Sequence, residues 1–166
     1  MEIWELTNER GEPQGVYYDR SLGEPIPDGY YFQVAEVWVV VDGRILVTRR
    51  HPDKWAGLMW EVPGGGVLRG ESPICAASRE LGEEVGISAP VSELIPLEVT
   101  THGNALVYSF LTRLKYTPVL RLQPTEVVDY RLLLPDELDS LTGEMTVGTV
   151  ERLPHVIEKL SRLGWI

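Results

Sequence analysis

The chain has 166 residues, 43% hydrophobic and 24% charged, a composition ordinary for a folded globular protein and unlike that of a disordered one. Its formal net charge of -10, from 25 acidic and 15 basic residues, argues against non-specific nucleic-acid binding, which needs Lys and Arg on phosphates. No apolar run approaches the roughly 20 residues of a membrane helix, the N-terminus does not resemble a secretion signal, and the lone Cys75 excludes an internal disulfide. We therefore expect a cytoplasmic protein with no membrane partner.

The first predicted elements are β-strands. Two short β-like runs, residues 2–6 and 15–19, flank a turn with glycine and proline, which predicts a hairpin. A linker with two prolines, residues 21–28, leads to residues 30–42, whose continuous β-branched and aromatic centre predicts a strand buried on both faces. The dipeptide Asp42-Gly43 predicts a tight turn into a second strand over residues 44–49, so the two form a hairpin inside the core.

The clearest helix of the first half covers residues 71–85. Ser72 is its candidate N-cap, Pro73 suits the first helical position, and Gly86 ends it. Before the helix, residues 59–62 predict a short strand that the proline and glycine run of residues 63–66 stops.

The remaining elements complete an α/β pattern. The predicted ranges are strands at 93–101, 105–114 and 126–134, a short helix from Pro135 through 141, and a helix at 147–163. This order predicts a mixed central β-sheet between helices. We expect a single domain, in which residues 1–28 form the N-terminal hairpin and linker, 29–145 the core and 146–166 a C-terminal helix.

Three carboxylates on the predicted helix indicate the chemistry. Glu80, Glu83 and Glu84 stand at positions i, i+3 and i+4, which places them on one face, where like charges repel one another. A hard cation such as Mg²⁺ removes that penalty and prefers oxygen ligands together with substrate phosphate oxygens. Arg79 precedes the first of them and can pair with Glu71 or Glu83, which would hold the carboxylates in place.

The stretch from Gly65 to Ile87 resembles the Nudix box, a pattern in which a glycine, a glutamate and an Arg-Glu pair precede two adjacent glutamates and a glycine. Every defined position is met, and the preceding segment 60–65 is similar to a common lead-in of the family. The matching residues are Gly65, Glu71, Arg79, Glu80, Leu81, Glu83, Glu84, Gly86 and Ile87. The resemblance covers about residues 30–141.

The resemblance implies a Nudix α/β/α sandwich that hydrolyses a diphosphate linkage in a small nucleoside diphosphate derivative. It implies that Glu80 and Glu84 bind Mg²⁺, with Mn²⁺ as an alternative, and that the Gly65 carbonyl is a further candidate ligand. Glu83 would be another ligand or the base that activates water, and Glu84 also belongs to the catalytic set. A later acidic residue often assists in this family, and Glu126 is our candidate, ahead of Asp129 and Glu137.

Substrate contacts are less determined by the sequence. Arg49, Arg50 and Lys54 precede the glycine run and are candidates for holding phosphate, and Glu61 is a candidate for contacting substrate or metal. A solvated surface position is the alternative for each of them. The Arg79–Glu71 pair is expected to be a structural salt bridge.

Two rival functions remain open. The N-terminal hairpin is similar to that of isopentenyl-diphosphate-isomerase-like Nudix proteins, but that isomerase needs a catalytic cysteine and a histidine-rich metal site. This chain has its only cysteine inside the box and three histidines in all, which disfavours the isomerase. A non-catalytic Nudix-like binding module is the other rival, and such modules typically lose carboxylates that are all present here. A homodimer through the edge of the hairpin is a further expectation.

Overall fold

A computed structural model describes residues 2–166 and begins with a separate two-stranded antiparallel sheet. Strand β1 (Ile3–Thr7) pairs with β2 (Pro13–Asp19), which confirms the predicted N-terminal hairpin. Trp4 of β1 stacks on Phe32 with ring centroids 4.6 Å apart and on Tyr18 at 5.7 Å. The stacking of Trp4 on Phe32 packs the hairpin against the start of the main sheet.

The main sheet has seven strands and mixed direction. Its strands are β3 (Phe32–Val41), β4 (Arg44–Arg50), β5 (Trp60–Glu61), β6 (Gly64–Gly66), β7 (Ile95–His102), β8 (Ala105–Leu114) and β9 (Val127–Leu133). The order along the sheet is β5-β4-β3-β8-β7, with β6 paired to β3 and β9 paired to β4. Only the β3–β8 pairing is parallel among the described ladders, so the predicted mixed sheet is confirmed.

Helices cover both faces of this sheet. Helix α1 (Pro73–Val85) packs on the face that carries Val37 and Val39, whereas α2 (Pro135–Leu141) and α3 (Val147–Arg162) pack on the face that carries Trp38 and Val40. Alternate side chains of β3 thus enter two different cores, as its continuous apolar run predicted. Of the helices in residues 2–166, none combines the length and apolar character that a membrane crossing requires.

The ends of α1 follow the predicted chemistry. The Ser72 hydroxyl accepts a hydrogen bond from the Cys75 N–H at 3.4 Å, Pro73 opens the helix, and Gly86 closes it in the left-handed conformation at φ 73°. The helix begins at Pro73, as the predicted cap requires, and Glu71 of the predicted range 71–85 lies in a preceding turn, where its N–H bonds the Leu68 carbonyl.

The glycine run differs from its prediction. Residues 64–66 were expected to stop a strand, but they form β6, in which Gly64 pairs with Glu36 and Gly65 with Ala35. A Cβ added at Gly64 would lie 2.4 Å from the Ala35 carbonyl oxygen, so only glycine permits this close approach. With β6 beside β3, the predicted β3–β4 hairpin keeps only two residue pairs next to its turn.

Candidate functional site

The candidate site lies where β6 meets α1. The Glu84 carboxylate enters this junction and accepts a hydrogen bond from the Gly64 N–H at 3.1 Å. Glu84 is only 3% exposed. Burial raises the pKa of its carboxyl to about 8, and the nearby Glu61 and Glu80 carboxylates add repulsion. This side chain therefore favours a partner that carries positive charge.

Glu80 lies one helical turn away, against the glycine backbone. A Cβ added at Gly65 would fall 2.4 Å from the Glu80 Oε1 atom, so the missing side chain of Gly65 makes room for this carboxylate. Burial raises the pKa of Glu80 as well, although Arg79 opposes the shift. Glu80 and Glu84 thus place two partly desolvated carboxyl groups beside one glycine strand.

Arg79 organises the outer side of the site. Its guanidinium donates two hydrogen bonds to Glu71 at 3.0 and 2.9 Å, one to Glu80 at 2.7 Å and one to Glu83 at 3.0 Å. It also donates to the Gly66 carbonyl at 3.0 Å. The contacts with Glu71 first, and with Glu80 after it, raise the pKa of Arg79. The arginine thereby ties the loop, the glycine strand and two helix carboxylates together.

The three carboxylates of the helix do not form one tight cluster. Glu84 points inward to Gly64, whereas the Glu83 side chain is 53% exposed and pairs with Arg79. Within residues 2–166, no three His, Cys, Asp or Glu side chains are grouped so that they could hold a metal ion. On the outer side of the site, the Arg79 guanidinium binds the carboxylates of both Glu80 and Glu83, and this is why they do not cluster with Glu84.

A second wall of the site carries two ion pairs. Arg50 pairs with Glu61, and Lys54 pairs with Glu126, which lies in the turn before β9. Burial raises the pKa of Glu61 and outweighs the opposing effect of Arg50. The charge of Lys54 partly opposes the upward pKa shifts of Glu61 and Glu84, although burial outweighs it in both. The structure thus brings Glu126 to the site from 42 residues beyond Glu84 in the chain.

Arg49 has a different environment. Its guanidinium donates to the Leu58 carbonyl at 2.9 Å and lies 5.7 Å from the Trp60 ring centroid. It therefore supports the loop after β4 in the described structure.

A buried ion pair beneath the site was not predicted. Glu36 of β3 accepts two hydrogen bonds from Arg152 of α3, at 2.7 and 2.6 Å, and one each from Trp38 and Ser109. Glu36 also pairs with Gly64 in the sheet, so this network supports the glycine strand from below. The sequence did indicate that such a partner exists, because Glu36 lies inside an apolar strand and a buried charge needs a partner.

Comparisons with known proteins agree with this geometry. The family model of the NUDIX domain matches residues 32–154. An uncharacterized Nudix hydrolase from Listeria monocytogenes is 33% identical over 147 residues, which cover 85% of this chain and 85% of the relative. An RNA pyrophosphohydrolase from Bartonella clarridgeiae is 46% identical over 54 residues, 32% of this chain and 30% of the relative. The crystal structure of a Deinococcus radiodurans protein superposes with a TM-score of 0.71 at 23% identity, over 87% of this chain and 92% of that one.

The chain therefore belongs to the Nudix hydrolase family. Members of this family are enzymes that act on small-molecule substrates and generally use divalent metal ions. The α/β/α sandwich with a mixed sheet, an N-terminal hairpin and a C-terminal helix is confirmed.

Proposed function

We propose that this enzyme hydrolyses a diphosphate linkage in a small nucleoside diphosphate derivative and uses Mg²⁺, with Mn²⁺ as an alternative. The observation that carries the proposal is the buried Glu84 carboxylate, which has one backbone hydrogen bond and a pKa raised to about 8. A buried carboxylate that accepts only one backbone hydrogen bond stays ionised at neutral pH only when a cation lies beside it. Hydrolysis of a diphosphate uses such a cation, because the cation neutralises charge on the phosphates and activates water.

The residues at the site fit a divalent cation of the hard type. Glu80 and Glu84 offer carboxylate oxygens, and Gly65 leaves the space that Glu80 needs. Oxygen ligands of this kind are what Mg²⁺ and Mn²⁺ prefer. When bound, the cation neutralises charge on the diphosphate oxygens and makes water a better nucleophile. Glu80 and Glu84 would hold it, with the Gly65 carbonyl as a further ligand and Glu83 as either another ligand or the base that activates water.

Other residues of the chain have supporting roles in the proposal. Glu83 and Glu126 are the candidate bases, since both carboxylates are partly exposed and each is paired with one cation, Arg79 or Lys54. Releasing Glu126 from Lys54 when phosphate approaches would free a carboxylate to take a proton from water. The Arg79–Glu71 pair positions the helix carboxylates.

On the substrate side we propose contacts from Arg49, Arg50 and Glu61. The Arg50–Glu61 ion pair borders the buried carboxyl groups, and Arg49 supports the adjacent loop. The RNA pyrophosphohydrolase relative supports a diphosphate-type bond as the target, although it matches only about a third of this chain. The homodimer and the cytoplasmic location stay predictions.

The proposal is tested with purified enzyme, Mg²⁺ and a panel of diphosphate compounds followed by phosphorus NMR. The panel holds nucleoside di- and triphosphates, nucleotide sugars, dinucleoside polyphosphates and isopentenyl diphosphate. We expect metal-dependent cleavage of one nucleoside diphosphate class. Isomerisation of isopentenyl diphosphate would instead support the isomerase, and ligand binding without any turnover would support a binding module.

Gly65→Ala is expected to weaken metal-dependent activity while the protein stays folded. The new Cβ displaces only the far end of the Glu80 side chain, which can move, so the melting temperature should change little. Displacing a residue that sets the position of a ligand typically costs about 10- to 100-fold in metal affinity or activity. Titration of activity against Mg²⁺ measures the effect. Gly143→Ala is the matched control, because an added Cβ there meets no atom within 4 Å, and equal titration curves for both variants would contradict the assignment.

A further inference from the structure

The N-terminal hairpin of β1 and β2 lies outside the part of the chain that the family model matches, which begins at residue 32. It nevertheless contacts the segment that leads into the site. The Arg69 N–H donates to the Ile3 carbonyl of β1 at 2.8 Å, and the Arg69 guanidinium lies 4.1 Å from the Tyr17 ring centroid of β2. The hairpin is therefore attached to the loop that joins β6 to α1.

The glycines of β6 lie between the hairpin and the helix. A Cβ added at Gly66 would fall 2.5 Å from the Nε1 atom of Trp4 and 2.9 Å from its Cε2 atom, whereas a Cβ added at Gly65 would meet the Glu80 carboxylate. Because successive residues of a strand point to opposite faces, the Trp4 indole and the Glu80 carboxylate lie on opposite faces of β6. The strand is thus packed from both sides.

Trp4 carries a cost that its stacking does not explain. The residue is 8% exposed, and its ring stacks on Tyr18 and Phe32. Its buried Nε1 atom has no hydrogen-bond partner in the part of the chain that the structure describes, and an unpaired buried N–H costs stability. A phenylalanine ring could stack on the same neighbours without this cost. What phenylalanine lacks is the Nε1–Cε2 edge that contacts Gly66.

Gly66 connects this contact to the carboxylates. Its carbonyl accepts a hydrogen bond from Arg79 at 3.0 Å, and the same guanidinium donates to Glu80 at 2.7 Å. Its neighbour Gly65 borders the Glu80 carboxylate directly. Close-packed groups transmit displacement, so a shift of Gly66 changes the surroundings of Glu80 by both routes.

We propose that Trp4 is a positioning residue for the proposed metal site. Its indole edge supports β6 from the face opposite α1, and this support holds Gly65 and the carbonyl of Gly66 where Glu80 and Arg79 need them. The inference rests on the proposed function and adds to it a hairpin that lies outside the matched domain. Trp4 acts through β6 and does not contact the metal or the substrate.

The test compares Trp4→Phe, Gly66→Ala and the double variant with the wild type. Calorimetry measures Mn²⁺ affinity, and NMR measures hydrogen exchange of the Gly64 N–H, which bonds Glu84, in the metal-free protein. Trp4→Phe removes the indole edge but keeps a ring for stacking, and Gly66→Ala adds a methyl group that collides with that edge. We expect each single variant to bind Mn²⁺ about tenfold more weakly or worse and to exchange the Gly64 N–H faster.

The double variant is expected to recover most of the Mn²⁺ affinity and of the slow exchange. Its methyl group at residue 66 occupies the space that the indole edge leaves, so the two substitutions compensate each other. A residue that only stabilises the hairpin would show no such compensation. Losses in the double variant as large as the sum of the single losses would therefore contradict the proposal.

Tyr18→Leu is the matched control. Its ring centroid lies 5.7 Å from that of Trp4, but the three atoms nearest to an added Gly66 Cβ all belong to Trp4. The substitution should lower the melting temperature and leave Mn²⁺ affinity unchanged. Wild-type affinity and exchange in Trp4→Phe, or an equal loss of affinity in Tyr18→Leu, would overturn the positioning role.

The exchange measurement separates this inference from the proposed function, because it needs neither metal nor turnover. If the wild type bound no Mn²⁺ while Gly64 exchange rose in both single variants and recovered in the double variant, the proposed metal site would be rejected and the support of β6 by Trp4 would stand. If all variants bound Mn²⁺ as tightly as the wild type, only the positioning role of Trp4 would be rejected.

Discussion

Glu84→Gln is expected to reduce turnover at least about 100-fold, because the several kcal/mol that a bound cation contributes to transition-state stabilisation correspond to that factor or more. The amide oxygen of glutamine can still accept the Gly64 hydrogen bond, so the backbone geometry is retained. What disappears is the negative charge. Initial rates at saturating substrate and Mg²⁺ measure the effect, and circular dichroism verifies the fold.

The same substitution is expected to stabilise the metal-free protein. The pKa of Glu84 rises from its ordinary value of 4.5 to about 8, so the folded state binds this proton more tightly than the unfolded chain does. Ionising the group therefore costs folding free energy as pH rises from 4.5 to about 8, and the full cost remains above that range. Since glutamine has no charge to bury, metal-free Glu84→Gln should melt about 10 °C or more above the wild type at high pH.

The control for both measurements is Glu158→Gln, which removes one negative charge from an exposed position on α3. It should keep normal turnover and nearly normal stability. Below pH 4.5 the stability difference between Glu84→Gln and the wild type should vanish, because the carboxyl is protonated in both states. Full activity in Glu84→Gln would remove the basis of the metal-site proposal, whatever the melting data show.

Local chemistry made part of this structure predictable. Ser72, Pro73 and Gly86 each satisfy backbone requirements at the ends of α1, and such requirements depend only on near neighbours. The turn at Asp42 and Gly43 has positive φ at both residues, 49° and 72°, as that dipeptide predicts. Strand β8 and helix α2 also have the predicted limits.

Contacts between distant residues were not predictable in the same way. Strand β6 consists of three glycines, which carry no side-chain pattern, and its pairing with β3 arises from backbone approach. The Lys54–Glu126 and Glu36–Arg152 pairs join residues 72 and 116 positions apart. The spacing of Glu80, Glu83 and Glu84 was visible in the sequence. Their directions were not, because Glu84 turns inward to the Gly64 N–H and Glu83 turns outward to Arg79.

Arg152→Met is expected to destabilise the protein by about 3–5 kcal/mol, because removal of one partner from a buried ion pair leaves the other charge uncompensated. Glu36 is 5% exposed and Arg152 7%, and two hydrogen bonds join them. After the substitution the Glu36 carboxylate would keep only the Trp38 and Ser109 donors. Urea unfolding measures the change, which corresponds to a melting temperature lower by about 10 °C.

The double variant Glu36→Gln with Arg152→Met separates the two contributions to this loss. It removes both charges, so most of the lost stability should return if the uncompensated carboxylate is the cause, since a buried pair gains little over neutral groups of similar volume. Arg20→Met breaks the exposed pair with Glu2 and should change stability by less than about 1 kcal/mol, because solvent screens that contact. If the double variant were as unstable as Arg152→Met alone, packing of the arginine stem against β3 would be the cause. In that case the Arg152 side chain would support the glycine strand by its packing, and its charge would not contribute to stability.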